Sequence, residues 1–241
     1  MYWASEGATV AASKPKLREL KLDLEKMMGI AYVTDELLED AAFMSSFFGN
    51  AFSMAADRLL SGAIISGDGN SKPLGIMNSG ALVTVAKAAN QAADTIVAEN
   101  ILAIWQRMLW RNRKNTVWLF HPDCEAQLPT LHINDKIIWM PEGGISGSMY
   151  QTILGRPVIF DDNLAALGDK GDTILADMKE YMLLKKGTAK QVWSMHVEFL
   201  TDQQAFRMVF RCNGAPKAAA PVKIKNSTNL RSPFVTLAAR A

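Results

Sequence analysis

Histidine, cysteine and carboxylate side chains that could do chemistry occur at a few places in this chain of 241 residues. His121 and Cys124 have a spacing similar to that of metal ligands, and His132 follows nearby. A zinc site needs four protein ligands, or three and a water molecule, and the neighbouring sequence adds no further Cys or His. We therefore interpret these residues, and His196, as structural or surface side chains. A small-molecule enzyme with a pocket around His121, Cys124 and Asp161 stays open as an alternative.

Two pairs of adjacent carboxylates, Glu39-Asp40 and Asp161-Asp162, could serve acid–base catalysis if one member lay in a cleft. The surrounding residues predict no cleft, and Asp161-Asp162-Asn163 has the composition of a turn. The Gly-x-Ser-x-Gly elbow of a serine hydrolase is absent from the sequence. The sequence therefore predicts no catalytic residue, no cofactor and no metal site.

The segment Gly67-Asp-Gly69-Asn-Ser-Lys72 has the glycines and the lysine of a phosphate-binding loop. Such a loop lies between a strand and the N-terminus of a helix, whereas this one follows a predicted helix and precedes Pro73. We interpret the glycines as positions that permit a positive φ and a close approach between subunits.

The formal net charge of +2 is too small to predict nucleic-acid binding, which needs a clustered basic surface. The most basic cluster contains Arg107, Arg111, Arg113 and Lys114. We interpret it as the cationic C-terminal end of a helix, where positive side chains offset the helix dipole.

The two cysteines, Cys124 and Cys212, are too few for a disulfide framework, and we expect both to be reduced and partly buried. The N-terminus lacks the pattern of a secretory signal. No apolar run reaches the length of about 18 residues that a membrane span needs. These features predict a soluble, intracellular protein.

A long amphipathic helix is the strongest predicted element. Thr34 is a suitable N-cap, and Asp35, Glu36 and Glu39 place negative charge in the first turns. Apolar residues then recur at spacings of three and four: Leu37, Ala41, Met44, Phe48, Phe52, Ala55, Leu59 and Ala63. A helix of about 28 residues would be about 42 Å long, which suits a strut.

The remaining elements predict an α+β fold with mostly antiparallel sheet. Leu20, Leu22 and Leu24 alternate with charged residues and predict a strand in an extended arm over residues 1–28. Gly29 is predicted to interrupt the chain before a short strand over residues 30–33. The other predictions are a helix from Thr95 to Asn112, a strand over Thr116–Phe120, and a hairpin that pairs Val192–Phe199 with Ala205–Arg211. In that hairpin Trp193, Met195, Val197 and Phe199 are expected on one face.

Several stretches, in order along the chain, resemble the major capsid proteins of tailed phages with the Hong Kong 97-type fold. Thr34 to Ala42 resembles the start of the family's spine helix, and Gly67 to Ile76, with its Pro73-Leu-Gly75-Ile76 ending, resembles the loop that follows. Further similar stretches are Tyr2 to Gly7 with Lys14-Pro15, Leu154 to Pro157, Phe199 with Gln204 to Arg207, Arg211 and Gly214, and Ser232 to Val235.

The resemblance implies a partial extended loop at 1–28, a peripheral domain with the spine helix at 29–92 and 190–215, and an axial domain at 93–189 and 216–241. It implies a structural subunit that assembles with itself into pentamers and hexamers and encloses DNA through non-specific contacts. It also implies scaffolding, portal or decoration proteins as partners, no membrane, and a place in the virion capsid after assembly in the bacterial cytoplasm. An encapsulin-like compartment shell is the alternative within this fold.

Compared with the family pattern, the chain starts inside the extended loop, so an N-terminal arm and the first half of that loop are expected to be missing. We predict subunit contacts at residues of the arm, the helix start and the glycine-rich loops: Trp3, Glu6, Lys14, Lys16, Glu36, Gly67, Gly69, Pro73, Gly143 and Gly144.

Overall fold

The computed structural model describes residues 19–40, 44–133, 136–137 and 152–240. The helices are α1 (Asp35–Asp40), α2 (Met44–Ser66) and α3 (Ala98–Arg107). The strands are β1 (Glu25–Thr34), β2 (Val83–Val85), β3 (Thr116–Phe120), β4 (His132–Ile133), β5 (Lys136–Ile137), β6 (Thr152–Ile153), β7 (Arg156–Phe160), β8 (Thr173–Asp177), β9 (Tyr181–Lys185), β10 (Lys190–Glu198), β11 (Gln203–Pro216), β12 (Val222–Lys223), β13 (Leu230–Arg231) and β14 (Phe234–Leu237). Short 3-10 helices lie at Ile76–Asn78, Trp110–Asn115, Pro122–Thr130, Met178–Glu180 and Phe199–Thr201.

A four-stranded antiparallel sheet is built around the long strand β11. One half of β11 lies between β1 and β10, and its other half pairs with β9. The predicted hairpin is confirmed, with Trp193 opposite Phe206. The pairing shifts between Ser194 and Glu198, where the strand is irregular. Within that irregular stretch Met195 and Val197 are exposed, whereas the ring of Trp193 packs on that of Phe206.

Helix α2 packs on one face of this sheet, which we call the inner face. The ring of Phe206 lies 5.0 Å from that of Phe52, 6.1 Å from that of Phe48 and 4.7 Å from that of Trp193, measured between centroids. Gly29 lies within β1, and a Cβ there would stand 2.4 Å from Cε1 of Phe52. The predicted interruption at Gly29 was therefore wrong, because the missing side chain makes room for the helix within a continuous strand.

The second sheet has six strands in the order β2-β14-β8-β3-β7-β6. The β2–β14 and β3–β7 pairs are parallel and the other pairs are antiparallel. Every residue of β8 is buried, because both faces of the sheet are covered. Ile101 and Ile104 of α3 pack on one face with Trp118, while Ile65 near the end of α2 packs on the other. The α+β class with mostly antiparallel sheets is confirmed.

The helix start after Thr34 is confirmed by α1, and the described part of the predicted strut from Met44 to Ser66 is helix α2. The second predicted helix is shorter than expected. Helix α3 begins after Val97, which provides no side-chain cap, and it ends at Arg107. Ser232 accounts for this end: its N–H donates to the Arg107 carbonyl over 3.1 Å, and its carbonyl accepts from Leu109 N–H at 3.2 Å. Hydrogen bonds to a distant segment thus replace those of another helical turn.

Candidate assembly surfaces

The histidine and cysteine of the metal-like pair are each engaged locally. Cys124 is buried, and its Sγ donates to the carbonyl of Asp172 over 3.9 Å. Burial raises the pKa of this thiol to about 12. Nδ1 of His121 accepts from the N–H of Asp123 at 3.2 Å. Within the described ranges no three His, Cys, Asp or Glu side chains come together as a set that could hold a metal ion.

The buried thiol of Cys124 predicts a pH effect on stability. The folded chain keeps the thiol proton up to about pH 12, whereas the unfolded chain releases it near the ordinary pKa of 9.0. We therefore expect the free energy of unfolding to fall as the pH rises through this window. Cys124→Ser, which has no thiol to ionise, should flatten that dependence in urea unfolding across the window. An unchanged slope in this variant would show that the thiol is not protected by burial.

The carboxylate at Asp161 lies in a turn, as predicted, and this turn connects two parts of the fold. Its Oδ1 accepts from the backbone N–H of Asn163 at 2.9 Å and from Nδ2 of the same residue at 2.7 Å. Nδ2 of Asn163 also donates to Oγ of Ser61 on α2 over 3.2 Å. The turn after β7 is thereby attached to the long helix, and the carboxylate of Asp161 has a structural role in this turn.

The loop from Gly67 to Ile76 closes on itself and on the four-stranded sheet. The N–H of Gly75 donates to the Gly67 carbonyl over 2.8 Å, and that of Leu74 donates to the Gly214 carbonyl over 2.8 Å. The hydroxyl of Tyr181 donates to the Leu74 carbonyl over 2.9 Å. A Cβ at Gly67 would stand 2.1 Å from the carbonyl oxygen of Pro73. The close approach expected at Gly67 therefore occurs within the chain.

The residues predicted to contact other subunits fall into three groups. Glu36 and Gly69 are exposed, and Gly69 has the expected positive φ of 78°. Gly67 and Pro73 are buried in the loop just described. The others lie outside the described residues: Trp3, Glu6, Lys14, Lys16, Gly143 and Gly144.

Large apolar side chains are exposed on the long helix. On α2, Met54 is 73% exposed and Leu59, at the edge of the contact with β1, is 63% exposed. Leu200, in the turn between β10 and β11, is 98% exposed. Large apolar side chains with this degree of exposure are candidates for contact with another protein. The long helix and its sheet therefore offer surface that another protein can cover.

An arginine between two tryptophans forms a second exposed feature, beside the end of α3. The guanidinium of Arg113 lies 4.8 Å from the ring centroid of Trp105 and 4.9 Å from that of Trp110, which is 74% exposed. Nη2 of Arg113 also donates to the Trp105 carbonyl over 3.0 Å. Arg113 therefore has the predicted role of a cation at the C-terminal end of a helix.

A buried ion pair between Asp172 and Arg240 was not anticipated from the sequence. Both side chains are fully buried. Nη1 of Arg240 donates to Oδ1 of Asp172 over 3.2 Å, and Nη2 donates to Oδ2. Oδ2 also accepts from the N–H of Gly168 at 3.0 Å, and the N–H of Arg240 donates to the Gly168 carbonyl over 2.7 Å. The sequence carries no signal for this pair, since Arg240 follows Leu-Ala-Ala and resembles a surface cation.

None of the helices that the structure describes combines the length and the apolar character needed to cross a membrane.

Comparison with known proteins gives a family and a fold. The family model described as "Phage capsid family" matches residues 1–226. No curated protein sequence matches the chain. The solved structure of the capsid of an empty GTA particle has a TM-score of 0.78 at 16% identity and covers 100% of this chain and 81% of its own. A structure from Gordonia phage Cozz has a TM-score of 0.62 at 13% identity, with 100% of this chain and 79% of its own covered. A holo-SrpI encapsulin complex from Synechococcus elongatus has a TM-score of 0.58 at 13% identity, with 89% and 73% covered.

Proposed function

The chain belongs to the phage capsid family, and from this premise we propose that its copies form pentamers and hexamers that close an icosahedral shell around a DNA genome. The protein is a structural subunit of the virion capsid, it is not an enzyme, and it assembles with itself into capsid oligomers. The match of the family model to residues 1–226 carries this conclusion. Closed shells need contacts repeated around symmetry axes, and the exposed apolar side chains on α2 are suited to such contacts.

We propose a peripheral domain built from α2 and the four-stranded sheet, and an axial domain built from the six-stranded sheet and α3. The pairing of two strands supports boundaries that differ slightly from those expected from the sequence. Strand β2, at Val83–Val85, pairs with β14 and so belongs with the axial sheet. Strand β9, at Tyr181–Lys185, pairs with β11 and so belongs with the peripheral sheet.

We also propose subunit contacts at the exposed residues Glu36 and Gly69. The contacts predicted at Gly67 and Pro73 would be indirect, because both are buried and shape the loop that presents Gly69. Those in the arm and in the segment around Gly143 stay predictions from the sequence.

The remaining partners follow from the role of a capsid. We propose that the shell uses scaffolding, portal or decoration proteins, that it touches the enclosed DNA without sequence preference, and that it assembles in the host cytoplasm. The family membership supports these proposals. An encapsulin-like compartment is the second candidate, supported by the similarity of fold to the SrpI complex at a lower TM-score than that of the GTA capsid.

Light scattering coupled to size exclusion, with negative-stain microscopy of the peak fractions, tests the proposal. We expect rings of five and six copies, or closed shells. A protein that stays monomeric at every concentration tested would contradict it. Shells that retain a protein cargo and exclude DNA would favour the encapsulin-like compartment.

A further inference from the structure

The face of the four-stranded sheet turned away from α2 carries a cluster of cations at one end. We call this the basic face, and it consists of Lys26, Lys186, Lys190, Arg207 and Arg211. The strand register brings the five together. Lys26 lies opposite Arg211, Lys190 lies opposite Val209, and Arg207 lies two residues from Val209 on the same side of β11. The N–H of Lys186 donates to the Arg211 carbonyl over 3.0 Å, which places it beside the same end.

The cations of the basic face are unpaired as far as the described part of the chain extends. Among the described residues none of the five lies within ion-pair distance of a carboxylate. The four strands themselves carry carboxylates at Glu25 and Glu198 alone. Glu25 alternates to the opposite face from Lys26, and Glu198 lies at the far end of β10. The positive charge of the basic face is therefore available to an external group.

Apolar side chains lie among the cations of the basic face. Met28 and Ile30 of β1 and Val192 of β10 are each about half exposed, at 48%, 48% and 45%. Met28 lies opposite Val209, and Ile30 lies opposite Arg207. A partner that covered this face would have to offer both carboxylates and apolar groups.

The other end of the same sheet has the complementary character. We call it the acidic end, and it comprises α1 with the turn between β10 and β11. The carboxylates described there are Asp35, Glu36, Glu198 and Asp202. The two parts are joined, since the N–H of Asp35 donates to the Asp202 carbonyl over 3.2 Å. Among them lie the exposed side chains of Leu37 and Leu200.

The two ends are too far apart to neutralise each other within one copy. Arg207, the cation nearest to the acidic end, lies opposite Ile30, four steps along β1 from Thr34, which is about 13 Å. That separation exceeds the Debye length of about 8 Å at physiological salt. Each copy thus displays an acidic and apolar end and a basic and apolar face as two separate surfaces.

We propose that the acidic end of one copy docks on the basic face of the next copy around the ring, and this inference rests on the proposed capsid function. Such a contact is heterologous: a surface of one subunit meets a different surface of its neighbour, as a closed ring requires. The carboxylates of the acidic end meet the five cations, and Leu37 and Leu200 cover the exposed apolar side chains of β1 and β10. The phosphates of a nucleic acid would neutralise the charge of the cations, but they would leave the apolar side chains of Met28 and Ile30 uncovered.

Charge reversal on each surface tests the contact. The face variant carries Lys190→Glu and Arg207→Glu, and the end variant carries Glu36→Lys and Glu198→Lys. Lys223→Glu with Lys225→Glu is the control at exposed positions of β12 and the turn after it: its change of charge equals that of the face variant and has the same size, with opposite sign, as that of the end variant. Far-UV circular dichroism and urea unfolding establish that each variant is folded. Ring formation is followed by light scattering and negative-stain microscopy, with and without nuclease.

We expect the face variant and the end variant each to need at least about tenfold more protein for half-assembly than the control, because like charges then meet at every contact. The chain that carries all four substitutions should regain assembly, since its reversed end matches its reversed face. An equal mixture of the two variants should form rings with an even number of copies, in which the variants alternate.

Other outcomes overturn the proposal in distinguishable ways. If the wild type forms rings and both variants do so at the same concentration as the control, the contact lies elsewhere. If the face variant alone fails and nuclease disperses the wild-type rings, the basic face binds nucleic acid. If the wild type forms no oligomer, the proposed capsid assembly and this contact both fail.

Discussion

Arg240→Ala is expected to lower the free energy of unfolding by about 3–5 kcal/mol. The substitution leaves the carboxylate of Asp172 fully buried without its ionic partner, next to Gly168 and the six-stranded sheet. Urea unfolding of the unassembled protein measures the effect. Lys225→Ala, which also removes a positive side chain but at an exposed position, should change the stability by no more than about 0.5 kcal/mol.

A double-mutant cycle separates the ion pair from the loss of side-chain volume. Replacing both partners, with Asp172→Asn and Arg240→Met, removes both charges and should cost less than Arg240→Ala alone. Two results would contradict the structural role of the pair: a cost of Arg240→Ala under about 1 kcal/mol, or a double variant whose cost equals the sum of Asp172→Asn alone and Arg240→Met alone.

Phe206→Ala is the second large effect, with an expected loss of about 3–5 kcal/mol. The ring is 1% exposed and contacts the rings of Phe48, Phe52 and Trp193, so its removal leaves a cavity between α2 and the four-stranded sheet. Urea unfolding of the unassembled protein, followed by far-UV circular dichroism, measures the loss.

Leu200→Ala is the control for this substitution. Leu200 lies in the turn that joins β10 to β11 and is 98% exposed, so its truncation should change the stability of the unassembled protein by no more than about 0.5 kcal/mol. Equal losses for the two variants would mean that the contact between α2 and the sheet contributes little to stability.

The elements that could be predicted from the sequence are those with a periodic apolar pattern. The long helix and the β10–β11 hairpin were found in this way, because each places its apolar residues on one face along many residues. The strand over Thr116–Phe120 was also correct, since it is short, apolar and followed by Pro122. The alternating pattern does not reveal the irregular pairing beyond Ser194, where Met195 and Val197 are exposed.

The predictions that failed depend on contacts between distant segments. The end of α3 is set by Ser232, more than a hundred residues later, and periodicity within the helix carries no trace of it. The prediction for Gly29 also failed because of a distant contact: its lack of a side chain makes room for Phe52, which packs against it. The charge of the basic face was missed for a similar reason: its five cations are scattered along the chain and come together through the register of the strands.

The place of β14 inside the six-stranded sheet has a consequence for the order of events during synthesis. Strand β2 at Val83–Val85 has β14 as its neighbour in the sheet, and β14 at Phe234–Leu237 leaves the ribosome about 150 residues later. Until then β2 and one edge of β8 lack a partner, and unpaired edges of this kind can pair with other chains. The six-stranded sheet therefore has to close after translation has passed residue 237. A nascent subunit cannot present its finished surface to the shell before that moment.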